Sequence, residues 1–184
     1  MLSPRLRILV LMIAGAAATR LLPHPPNLTP LTALALFGGA CFADRRLAYA
    51  VPLLALLVSD LVLGVYWSWS SMAYQPHMWM QYLCFALVVT LGLTLQRRGG
   101  APRIAATMLA GSVLFFLVSN FGEWVFQPWY PKTAAGLVAC YVAAIPFFGN
   151  SLLGDGLYAL LLFGGFHLLE GRFASLREPR LQGT

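Results

Sequence analysis

The chain has 184 residues, of which 59% are hydrophobic and only 10% charged, and its mean hydropathy is +0.74. A soluble domain of this length carries about a quarter charged residues, so the composition excludes an ordinary soluble domain and describes an integral membrane protein. The net charge of +6 does not describe a nucleic-acid surface, because the arginines stand in short clusters between apolar runs, as topology signals do.

Taken in order, Met1 to Leu22 places Arg5 and Arg7 before ILVLMIAGAAAT. This reads as a first transmembrane helix, with a cleavable secretory signal as the alternative. Within it Ala14 and Ala18 stand four apart, a small-xxx-small spacing that lets another helix approach closely; ordinary packing within the chain is the competing reading. Pro23, Pro25 and Pro26 then exclude helix and give a stiff loop carrying His24 and Asn27. Leu31 to Asp44 is apolar, holds Gly38 and Gly39, and is short for a spanning helix, so it is expected to tilt little or to begin deep in the membrane. Asp44, Arg45 and Arg46 turn the chain. Leu47 to Trp67 is a third crossing, broken only by Pro52 and Asp60, and Ser68 to Pro76 is an aromatic interfacial loop.

His77 to Gln96 is long enough to cross a bilayer and carries His77, Gln81 and Cys84 on one face. A polar stripe of that kind is costly against lipid and is expected to form one wall of a pocket. Ala105 to Trp124 is a fifth crossing, and Gln127 to Thr133 a loop. Ala134 to Phe148 is apolar but short, stopped by Pro146 and Gly149, and is expected to be re-entrant or interfacial. Asn150 to Glu170 is the last full crossing. This gives a single all-α membrane domain over residues 1–184, with six transmembrane helices, a short additional segment before the last, and both termini inside. Of the twelve Lys and Arg, only Arg20 and Lys132 then lie outside.

This topology gathers polar side chains in the outer half: Asp60, His77, Gln81, Cys84, Asn120, Glu123, Asn150, Ser151 and Asp155. With His24 and Asn27, and with Tyr82, Trp124 and Tyr130 among the aromatics, they describe a cavity for a bulky, partly polar small molecule. Competing readings accompany several of them. Asp60 would serve equally as half of a structural pair within the bundle. Asn120 and Glu123 would anchor a helix end, and His167 with Glu170 would snorkel to the interface. Cys41, Cys84 and Cys140 are odd in number, with no CxxC pair and no zinc spacing, which excludes a disulfide framework. Cys84 differs from the other two in sharing a face with His77 and Gln81. A soft thiolate suits a polarizable transition-metal centre, while a small buried hydrophobe is the alternative. Nucleotide-binding and common hydrolase motifs do not occur.

PNLTPLTALALFGGA (26–40), SDLVLG (59–64), SNFGEW (119–124) and YPKTAAGLVACYVAAIPFFGNSLLGD (130–155) resemble segments of a family of small bacterial membrane proteins. That family is similar to the substrate-binding S-components of energy-coupling-factor vitamin transporters and includes solitary cobalamin transporters. The resemblance implies an S-component-like bundle in the bacterial cytoplasmic (inner) membrane, taking up a vitamin from outside. The vitamin expected is cobalamin or another corrinoid, as transported ligand rather than intrinsic cofactor, with Cys84 as an axial ligand of its cobalt. It further implies that Ala14 and Ala18 dock an energy-coupling-factor transmembrane subunit working with ATPases. Cys84 is a departure, since a small residue is usual there. The remaining classes are a carrier of another vitamin or metabolite, and a membrane enzyme or assembly factor using Asp60, His77 and Cys84.

Overall fold

The computed structural model describes residues 3–66, 78–96 and 100–177, and all regular structure among them is helical. The long elements are α1 (Pro4–Ala18), α2 (Leu31–Cys41), α3 (Arg45–Tyr66), α4 (Met78–Leu93), α5 (Ala101–Phe126) and α6 (Ala134–Ala159), which continues through a π-helical stretch (Leu160–Gly164) into α7 (Gly165–Arg172). Helix starts follow local chemistry. The Ser3 hydroxyl accepts from the Leu6 N–H at 3.2 Å, and the Thr133 hydroxyl from the Gly136 N–H at 3.2 Å, each supplying a partner for an otherwise orphaned donor. α5 begins at Ala101, ahead of the expected Ala105, because Pro102 sits in the first turn where its missing N–H costs no helical bond.

At the centre lies α2, only 11 residues long, with every residue from Leu31 to Gly39 buried. It packs on α1, α3, α4, α5 and α6. Small residues permit this. A Cβ on Gly39 would collide with the Val89 carbonyl oxygen, and one on Gly92 would fall 2.5 Å from that of Leu36, so α2 and α4 touch backbone to backbone. Both ends of α2 are completed by distant side chains. Gln96 Nε2 donates to the carbonyls of Gly39 (2.9 Å) and Phe42 (2.8 Å), and Arg5 Nη2 to that of Cys41 at 3.3 Å. At the other end Pro30 offers no side-chain cap, and the Asp155 carboxylate of α6 faces the N–H groups of Thr32 and Ala33. The first turn of α2 lies against the middle of α5, where a Cβ on Gly111 would meet the Thr32 side chain at 2.8 Å. The apolar stretch is short because the helix begins halfway along the bundle.

Among the described residues, three helical runs are long and apolar enough to cross a membrane: Arg45–Val65, Ala101–Phe126 and the 39-residue run Ala134–Arg172. Only 11% of the apolar window is buried in each of the last two, and Leu109, Val113, Leu117, Val138, Val142 and Ile145 point outward. An apolar girdle of this extent suits lipid tails rather than water.

The expectation of a separate short segment at 134–148 is overturned. Helix runs unbroken through Pro146 and Gly149 into the last crossing. Pro146 removes one N–H, the partner of the Val142 carbonyl, but a single such loss is tolerated in an apolar helix, and Gly149 meets nothing within 4 Å that would force the chain aside.

The glycine contacts set a stability order. Gly39→Ala and Gly92→Ala should each destabilise by roughly 1–3 kcal/mol, because backbone must move to admit the new carbon. Gly149→Ala, in open space on a helix, should be neutral or stabilising. Thermal melting in detergent micelles checks this order, and a Gly92→Ala protein that melts no lower than the parent contradicts the close approach.

Candidate functional site

One end of the bundle is tied together around Arg5, which pairs with Glu170 and donates to the Leu176 carbonyl at 2.6 Å. Glu170 is therefore an ion-pair partner and not merely a snorkelling side chain. At the opposite end, α1 closes in a tight turn (Thr19–Leu21) that carries Arg20 towards α3. Thr19 Oγ1 shares a 2.6 Å hydrogen bond with the Tyr158 hydroxyl, fixing that turn to α6. Arg20 Nη2 meets Asp60 Oδ1 at 2.7 Å, Arg20 Nη1 donates to Ser59, and the Tyr82 hydroxyl donates to Asp60 Oδ2 at 2.8 Å. The ion pair is nearly dry, with side chains 9% and 13% exposed. Both predicted roles for Asp60 can be weighed on this geometry: both carboxylate oxygens are engaged, as in a structural pair.

Beside this pair lies a cavity of about 550 Å³. It occupies the space left where α2 begins halfway, and residues of the 22–30 loop, His24, Asn27 and Thr29, contribute to its wall. That loop is pinned to α6. Asn150 Nδ2 donates to the Pro26 carbonyl at 3.0 Å, and Gly154 approaches the Thr29 backbone so closely that a Cβ would stand 3.0 Å from its nitrogen. Asn27 takes a left-handed conformation, φ 62°, which asparagine tolerates better than most residues. The α5 wall presents Ser112, Phe115, Phe116, Ser119, Asn120 and Glu123, all on one helical face. Across from it stand Gln81 of α4 and, from α6, Phe147, Phe148, Ser151 and Asp155. At the base, the Ser112 hydroxyl donates to Asp155 Oδ2 at 2.6 Å.

Of the residues expected to bind substrate, His24, Asn27, Gln81, Asn120 and Asp155 line this cavity. Asp60 and Tyr82 stand behind Arg20, Asn150 ties down the loop, and Trp124 packs the α5–α6 connection. Its Nε1 donates to the Pro131 carbonyl at 2.9 Å and its ring lies 5.7 Å from Lys132 Nζ. Tyr130 is outside the lining, and His77 lies outside the described residues. The expectation that Cys84 faces the pocket is not met. The side chain is fully buried between α4 and α5, its Sγ 3.9 Å from the Leu114 carbonyl. Sequence reasoning missed Arg20, Thr32, Ser112 and Ser119. Arg20 had a signal, being one of two basic residues at this end.

A protein whose described residues form membrane-length apolar helices, with a cavity of mixed polar and aromatic lining at one end, is the class that fold and site define. Within it, the chain belongs to the family of unknown function DUF6580, whose profile matches residues 1–177. No curated protein and no solved structure matches the chain significantly.

The ion pair predicts an ordering of variants. Arg20→Met and Asp60→Leu should each lower stability by on the order of 3 kcal/mol, since each strands a buried charge, whereas the double variant should cost less than either alone. Melting temperatures of the three variants in one detergent test this, and simple additivity would show that the pair is not coupled.

Proposed function

We propose that the chain is a membrane-embedded solute-binding protein of an uptake system, resembling an S-component, whose cavity takes a small, partly polar vitamin or metabolite. The observation that carries this is the cavity itself. Its volume falls in the range of small-molecule sites, and its wall alternates phenylalanine faces with amide, hydroxyl and carboxyl groups. In this reading six helical runs cross the bacterial cytoplasmic membrane with both termini inside, and the Arg20 end faces outward, because Arg45, Arg46, Arg103, Arg172 and Arg177 mark the other end as cytoplasmic. Ala14 and Ala18 are exposed on α1 beside Leu11, which supports a docking role towards a partner transmembrane subunit.

Binding is favoured over catalysis by the commitments of the polar groups. Asp60 is engaged by Arg20 and Tyr82, and the Cys84 thiol faces a backbone carbonyl rather than a base. Among vitamins, the geometry favours one smaller than a corrinoid. A whole corrinoid overfills about 550 Å³, and the thiol that would ligate its cobalt is turned away from the cavity.

Screening a vitamin panel that includes cobalamin against the purified full chain by thermal shift should find stabilisation by a small member of the panel. Ser119→Trp, which fills the cavity, should abolish the shift, and Cys84→Ser should preserve it. A shift with cobalamin that is lost in Cys84→Ser overturns the size argument, and no stabilisation by any member counts against solute binding. Ala14→Leu with Ala18→Leu should impair cellular uptake of the ligand while leaving the shift intact; a lost shift would mean that these alanines pack the fold.

A further inference from the structure

We infer that the solute of this cavity is an aromatic cation, its positive charge set beside Glu123 and its ring among the phenylalanines. The inference rests on the solute-binding reading above. Among the described residues, the ionisable side chains lining the cavity are Arg20, His24, Glu123 and Asp155. Arg20 is neutralised by Asp60 at 2.7 Å. Asp155 is held by Ser112 and by the N-terminus of α2, whose dipole supplies part of a compensating positive charge. Among the described residues, Glu123 has no comparable partner in the wall. Its neighbour Lys132 lies outside the lining and donates to the carbonyls of Trp124 and Gln127 at the end of α5. The His24 ring contacts the Pro25 carbonyl through Nδ1 at 3.0 Å.

The balance is therefore negative. An anionic solute would face Glu123 and a partly compensated Asp155 with only a spent guanidinium in its favour, whereas a cation meets the Glu123 carboxylate in a wall that includes Phe115, Phe116, Phe147 and Phe148, aromatic rings that attract positive charge.

Three probes sharing one ring system separate the charge from the shape: N-methylacridinium, acridine and acridinecarboxylate, which at mildly alkaline pH are cationic, neutral and anionic. Titrated into the full chain in lipid nanodiscs, the cation should bind at least about tenfold more tightly than the anion, since opposite and like charge act at close range in a poorly screened site. Glu123→Gln should remove most of that preference and leave acridine unaffected, and Asn120→Asp, adding a carboxylate one turn away, should enlarge it. If the anion binds most tightly, or the preference ignores both variants, the charge inference is overturned while the solute-binding reading stands, provided that Ser119→Trp abolishes binding. If no probe binds saturably, or binding survives Ser119→Trp, the cavity is not the site and both fall. Should Glu123→Gln fail to fold, the Asn120→Asp result decides the matter.

Discussion

The rest of the molecule depends on a short helix being buried on all sides. α2 has too few residues to cross a bilayer as helix alone, yet it contacts α1, α3, α4, α5 and α6 and exposes nothing from Leu31 to Gly39. A helix in that position cannot satisfy its end groups with water, so Asp155 serves one end and Gln96 and Arg5 serve the other. In an apolar medium the hydrophobic effect does not favour one apolar neighbour over another, and close packing decides. The glycine contacts between α2 and α4 follow from that requirement.

The cavity is the complement of the same constraint. Where α2 stops, the central position of the bundle is vacant over roughly half its length, and the walls there turn polar. Asp155 belongs to both descriptions, since its carboxylate completes α2 and also forms the cavity base with Ser112. The Arg20–Asp60 pair closes one side. Holding two charges there is costly unless the geometry is good, and the hydrogen bonds from Tyr82 and to Ser59 improve it.

Level along the bundle axis was legible in the sequence; rotation about each helix was not. Hydropathy and arginine placement brought His24, Asn27, Gln81, Asn120 and Asp155 to one level, and all five line the cavity. Gln81 and Cys84, by contrast, stand about 60° apart around α4 at 3.6 residues per turn, enough for one to face the cavity and the other α5. Which of two such neighbours faces inward depends on the packing of α5, and no local pattern encodes it. Arg20 was overlooked because a lone basic residue at a helix end reads as solvated until its partner, 40 positions away, is placed beside it. Pro146 misled for a related reason. Its effect on a helix depends on whether neighbouring turns hold, and here they do.

The dependence of α2 on Asp155 also governs how the protein is made. The N-terminal third of the chain emerges first, but the carboxylate that completes α2, and the Asn150 side chain that grips Pro26 from 124 positions away, are synthesised much later. Until then α2 has an unfinished end and an unfilled flank, so the central helix is completed late although it is among the first made. Every chain cut short before Asp155 leaves that end of α2 without its partner.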